Sequence, residues 1–168
     1  MKNILLICIA ILVVQTSCKK ESASNSENKT TENFAELLAS YNEGKLRLNP
    51  IEATFFGDKK YTADFPNFLS DDYRKDLKSF YQTTLNELDN FKDEDLTESQ
   101  QMSKAVLKWD CNMALAQASF KKDILLPIDQ MWSINLIMGQ FASGSAAQPF
   151  NTVQDYKNWL SRLEQYNI

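Results

Sequence analysis

At 168 residues the chain has room for one domain, and its 43% hydrophobic and 11% aromatic content is globular rather than disordered. The net charge is -4, from 18 basic and 22 acidic residues, and nothing basic clusters beyond Lys19-Lys20 and Lys121-Lys122, which argues against a nucleic-acid partner. No histidine is present, so a Ser-His-Asp triad, a Cys-His pair and a His-Glu-x-x-His zinc site are all excluded. Carboxylate chemistry stays open. The acidic pairs Asp71-Asp72 and Asp93-Glu94-Asp95, however, fall at a predicted helix start and in a predicted linker, where capping and solvation account for them.

In chain order, Lys2 gives a short positive start and Ile4 to Val14 an unbroken apolar run. That run is shorter than the roughly 20 residues a spanning helix needs, and it fits a signal-peptide core. Gln15-Thr16-Ser17-Cys18 follows, and small residues before a cysteine resemble the lipobox of bacterial lipoproteins, with Gln15 where leucine is usual. Residues 1–17 are therefore expected to be a lipoprotein signal peptide, with Cys18 as the lipid attachment residue and the membrane as a partner through that anchor. The alternative is an ordinary secretory signal with an incidental cysteine. Residues 18–32 are Ser-, Asn-, Lys- and Glu-rich with no large apolar side chain, and read as a flexible tether. Cys111 sits beside Trp109 in a helical pattern and reads as a small buried hydrophobe.

Residues 33–168 read as a helical domain. A first helix spans about Thr31 to Leu48, with Phe34, Leu37, Leu38, Tyr41 and Leu48 on one face and a bend or end at Gly44. Asn49-Pro50-x-Glu52 starts a short helix that ends near Gly57. The aromatic loop Tyr61–Leu69 leads to Ser70-Asp71-Asp72, the cap of a long helix carrying Tyr73, Leu77, Phe80, Tyr81, Leu85, Leu88 and Phe91. After the polar linker Lys92–Leu96, Thr97-x-x-Gln100 is a capping box. The helix behind it runs to about Phe120, with Met102, Ala105, Val106, Trp109, Met113, Ala116 and Phe120 along it. The short connection predicts an antiparallel hairpin of these two helices.

Beyond Lys122 the chain turns apolar. Gln130–Gln140 reads as a helix hydrophobic nearly all round, the pattern of a buried helix or one that faces a partner. Gln130, Met131, Trp132 and Gln140 are the candidate ligand or partner surface; core packing with ordinary hydrogen bonds is the competing reading. A small-residue bend follows at Ala142–Ala147. Thr152-x-x-Asp155 then caps a last helix with Val153, Tyr156, Trp159, Leu160 and Leu163 on its apolar face. The expected fold is all-α, an irregular helical bundle behind a signal peptide and a disordered tether.

Two stretches carry a family resemblance. Leu48-Asn49-Pro50-x-x-Ala53-Thr54-x-x-Gly57-Asp58, with Tyr61 and Phe65-Pro66, resembles the opening of the bacterial "domain of unknown function 885" family. Pro149-Phe150-x-Thr152-x-x-Asp155-Tyr156-x-x-Trp159-Leu160-x-Arg162-Leu163 is similar to a later signature of the same family. The resemblance implies the N-terminal part of a longer, mostly helical domain related to zinc metallopeptidases, in a lipoprotein or secreted protein of the bacterial cell envelope. Zinc is implied only for longer relatives, whose His/Glu motif lies downstream of anything matched, so no catalytic or metal residue and no cofactor is expected in this chain. Two function classes stand. One is a non-catalytic part of a metallopeptidase-like lipoprotein, a fragment whose partner is the missing remainder of the family domain. The other is a standalone lipoprotein that binds a peptide or small ligand.

Overall fold

The computed structural model describes residues 21–120, 131, 133–144 and 146–167, with side chains from residue 31 onward. The expected signal peptide and Cys18 lie outside these residues, as do Gln130 and Trp132. Six α-helices and one 3-10 turn form among the described residues, and no strand.

Helix α1 spans Glu21–Leu48. It starts inside the stretch 18–32 expected to be a tether, well before Thr31. No proline or glycine stands between Glu21 and Asn33, so a helix nucleated further along can propagate back through this stretch. The helix does not end at Gly44, where the glycine serves a close approach. A β-carbon at Gly44 would lie 2.2 Å from Cε2 of Phe80.

Four of the remaining five helices begin where their caps predict. In α2 (Pro50–Phe55), Asn49 Oδ1 accepts from the Glu52 amide at 3.3 Å, and Gly57 at φ +80° turns the chain away. Helix α3 (Asp71–Leu88) is capped by Ser70, whose Oγ accepts from the Tyr73 amide at 3.1 Å. After the 3-10 turn Asp93–Asp95, α4 (Glu98–Ser119) opens with the predicted capping box: the Thr97 amide donates to Gln100 Oε1, and the Gln100 amide to Thr97 Oγ1. Helix α5 (Ile134–Ala142) starts after Ser133, later than the expected Gln130, because Ser133 is extended at the N-cap position. Helix α6 (Val153–Tyr166) carries the second capping box, Thr152 with Asp155.

Two cores result. Helices α3 and α4 form the predicted hairpin, and α1 lies against it. Phe34, Leu37, Tyr81, Leu88, Leu96, Leu107 and Cys111 are buried together there. Full burial of each large apolar side chain is worth about 1.5–3 kcal/mol. Helices α2, α5 and α6 and the loop after α2 close the second core around Ile51, Phe65, Met138, Phe141 and Trp159.

Two expected faces are corrected. On α6, Val153, Tyr156 and Leu160 are exposed, and the buried stripe is Trp159 with Arg162, flanked by half-buried Asn158 and Gln165. On α4, the core takes Leu107 and Cys111, while Met102, Val106, Trp109, Met113 and Phe120 face outward. The helix is apolar on two sides, so periodicity alone could not say which side packs.

Candidate functional site

Of the expected surface residues, Met131 and Gln140 are both exposed. Gln140 lies in the last turns of α5, where its carbonyl accepts from Ser143 Oγ at 2.6 Å. The other two lie outside the described residues. The structure instead draws its densest polar constellation around a residue the candidate list lacks, Arg162.

The Thr152 cap fixes where α6 begins, and the helical period then places Arg162 on the same stripe as Trp159, aimed at the loop after α2. Its side chain is 0% exposed. Nη2 donates to the Tyr61 carbonyl at 2.6 Å and to Thr54 Oγ1 at 3.0 Å, with the Pro50 carbonyl at 3.4 Å. Nε donates to the Asp64 carbonyl at 3.1 Å, and Nη1 to Gln148 Oε1 at 2.7 Å. The Phe141 ring packs at 5.7 Å from the guanidinium carbon. Burial pushes the Arg162 guanidinium down to about 10, opposed by the nearby Asp64 carboxylate. It therefore stays charged at neutral pH, solvated by carbonyl dipoles.

Neighbouring side chains extend the pattern. Gln165 Nε2 donates to the Ala63 carbonyl at 2.9 Å, and its Oε1 accepts from the Phe65 amide at 2.9 Å. Gln148 Nε2 reaches the Thr62 carbonyl at 3.5 Å, and Asn158 Nδ2 donates to Thr62 Oγ1 at 3.0 Å. Four successive carbonyls, from Tyr61 to Asp64, thus end on side chains of α6 or of Gln148. A loop with no ladder to satisfy it is held by side chains that imitate one. The hydrogen-bonding capacity is spent within the protein, so the constellation is a clamp rather than an open ligand site. Sequence reasoning had one signal for it: a charged residue on the stripe of Trp159, inside a family signature.

A second cluster joins α1 to α4. Tyr41 Oη donates to Asp110 Oδ2, and Lys45 Nζ lies 3.3 Å from the same oxygen. Burial, then the Asp110 carboxylate, raises the Tyr41 phenol well above its ordinary value. The same causes push Tyr81 up to about 12 and the Cys111 thiol up to about 11. A thiol held protonated is a poor nucleophile, so Cys111 is a packing residue.

Hollows open to solvent include two among the described residues. One of about 350 Å³ lies between α1 and α3, lined by Tyr41, Arg47, Asp76, Phe80, Thr84 and Glu87 among others. The other, about 280 Å³, is more apolar and is bounded by Phe68, Tyr73, Arg74, Leu77, Gln117 and Phe120. Among the described residues, no three of Cys, Asp and Glu stand close enough to hold a metal ion, so they do not fit the zinc that the resemblance implies for longer relatives.

A family model described as "Bacterial protein of unknown function (DUF885)" matches residues 50–167. No curated protein and no solved structure matches the chain. The matched range covers well over half of the chain and holds every residue of the Arg162 clamp. It also gives the two resembling stretches a spatial meaning: Arg162, from the later one, bonds to Pro50, Thr54 and Tyr61 of the earlier one. The chain belongs to the DUF885 family of bacterial proteins.

Proposed function

We propose that this chain is a lipid-anchored helical module of the bacterial cell envelope that corresponds to the non-catalytic N-terminal part of a metallopeptidase-like protein and works through protein contact. The observation that carries the contact role is the outward face of α4. Trp109 is 64% exposed and Val106 60%, on a helix whose other side is fully packed. Contiguous exposed apolar surface on a soluble monomer usually marks an interaction site. The absence of histidine supports the non-catalytic part of the reading. Thr16-Ser17-Cys18 and the polar stretch behind it support the anchor.

Two measurements test this. Cys18→Ala is expected to abolish acyl labelling and to release the chain from the membrane fraction; unchanged fractionation and label defeat the anchor. Elemental analysis of the purified chain after dialysis is expected to find no stoichiometric zinc, and assays no peptidase activity. Stoichiometric zinc with chelator-sensitive hydrolysis defeats the non-catalytic reading.

The second reading, a lipoprotein that binds a peptide or small ligand, draws on the hollow at Phe68, Tyr73 and Phe120. Its volume of about 280 Å³ is near the lower end of ligand pockets, roughly 300 Å³. Its largely apolar wall, with Arg74 already paired to Asp71, suits a small apolar group. Leu77→Trp, filling that hollow, is expected to abolish such binding if this reading holds.

A further inference from the structure

We infer that the outward face of α4 pairs with the same face of a second copy of this chain, antiparallel and across a two-fold axis near Cys111. The inference rests on the protein-contact reading above and names the partner.

The spacing comes first. Met102, Val106, Trp109, Met113, Ala116 and Phe120 follow one another at steps of four and three, and all six are exposed. That is the a/d repeat of a helix-pairing seam. Ordinary core helices carry a broader stripe at the 3.6 period. The core side of α4, at Leu107 and Cys111, points away from the seam, so pairing leaves the packed core undisturbed.

The side chains then select the direction. Antiparallel pairing about Cys111 sets Trp109 against Met113, Val106 against Ala116, and Met102 against Phe120. Two of these are sulfur–aromatic pairs, which are favourable contacts. The middle pair is small enough for the backbones to approach. The arrangement is self-complementary, as a two-fold interface requires. Parallel pairing would stack Trp109 on Trp109 and leave Ala116 facing Ala116.

Charge is compatible with self-pairing. Ser103, Ala105, Asn112 and Ser119, which flank the seam, are uncharged. The charged residues nearest to it are engaged within the chain: Lys104 with Asp93, Lys108 with Asp89, and Asp110 with Tyr41 and Lys45. The area suffices as well. Aromatic side chains offer about 150–250 Å² each, so two apposed seams approach the roughly 1,000 Å² that a specific interface requires.

The test uses the full chain in detergent. Sedimentation is expected to show a dimer, and Val106→Glu is expected to weaken association by about 100-fold or more, because it puts an unpaired charge into the seam. Trp109→Gln provides a second disruption, and unchanged helical circular dichroism shows that either variant still folds. Mixed oxidation of Met102→Cys with Phe120→Cys chains is expected to give the 102–120 crosslink, identified by peptide mass spectrometry. A 102–102 crosslink, or a dimer that survives both disruptions, overturns the inference. A monomeric wild type overturns it too, and iodide quenching, compared with Trp109→Phe, then separates two cases. If Trp109 is accessible, the seam is left for a different protein and the contact reading stands. If Trp109 is shielded, the chain covers the seam itself and the contact reading falls with the inference.

Discussion

Arg162 and Tyr61, on a helix and a loop far apart in the chain, meet through a 2.6 Å hydrogen bond from a buried guanidinium to a main-chain carbonyl. No carboxylate is among the hydrogen-bond partners of Arg162, so the interaction is a cation solvated by the backbone rather than a buried ion pair. Removing the side chain strands several acceptors and leaves a cavity. Hydrogen bonds to charged groups are worth about 1.5–3 kcal/mol each, and stranded groups cost about 1–3. Arg162→Ala is expected to destabilise by about 3–5 kcal/mol, seen as a lower urea midpoint. Arg162→Lys recovers little, because an ammonium cannot reach Asp64, Gln148 and Tyr61 at once. Gln148→Ala is expected to cost about 1–3 kcal/mol, and a double-mutant cycle with Arg162→Ala should show coupling of about 0.5–3 kcal/mol. Simple additivity would mean that the clamp does not act as a unit.

The two helical glycines should respond in opposite directions. Alanine normally stabilises a helix interior over glycine by about 1 kcal/mol. At Gly139 nothing lies within 4 Å of an added β-carbon, so Gly139→Ala should raise stability by about that amount. At Gly44 the Phe80 ring occupies the space. Gly44→Ala should therefore lower stability by about 1–3 kcal/mol, and Phe80→Leu should recover part of the loss. Thermal melts of the three variants check both signs.

Alkaline pH should destabilise the fold. Burial raises the Cys111 thiol from 9.0 to about 11, and Tyr73 and Tyr81 from 10.0 to about 12. The native state holds these protons where the unfolded chain has released them, so stability falls as pH rises. The contribution is intact below pH 9 and is lost from there through about 12. Melting temperature followed from pH 8 to 11.5 should drop across that range. Folded Cys111 should resist thiol reagents at pH 8, and a flat profile with a reactive thiol would contradict the burial argument.

The Tyr41–Asp110 contact offers a separable check. Tyr41→Phe keeps the ring stacked on Phe80 and removes only the hydroxyl. It should cost about 1.5–3 kcal/mol, as expected for a bond to a charged acceptor, with Lys45 still facing Asp110. The urea midpoint measures it.

What the sequence made legible was local. Asn49-Pro50, Ser70, Thr97-x-x-Gln100 and Thr152-x-x-Asp155 each announce a helix start through side-chain hydrogen bonds made within three residues, and each start appears as expected. What stayed hidden was relational. Gly44 reads as a helix breaker until Phe80 is known to lie against it. Val153 and Leu160 read as core because they are apolar, while the charge of Arg162 hides its burial. The acceptors that make its burial tolerable lie in a loop with no regular pattern. Helix α4 has apolar residues on two sides, and only the position of α1 and α3 decides which side is inside.

The Arg162 clamp also imposes an order on synthesis. Its loop partners Asp64 and Tyr61 precede it by 98 and 101 residues. The first core draws on Phe34 to Cys111 and has all its side chains once α4 has left the ribosome. The carbonyls of Tyr61–Asp64 stay without these side-chain partners, hydrated instead, until α6 emerges, at about 5–20 residues per second. Until then the aromatic segment Tyr61 to Leu69, which lies just before the α3–α4 hairpin, is unpinned. That segment is therefore among the last parts of the fold to be fixed.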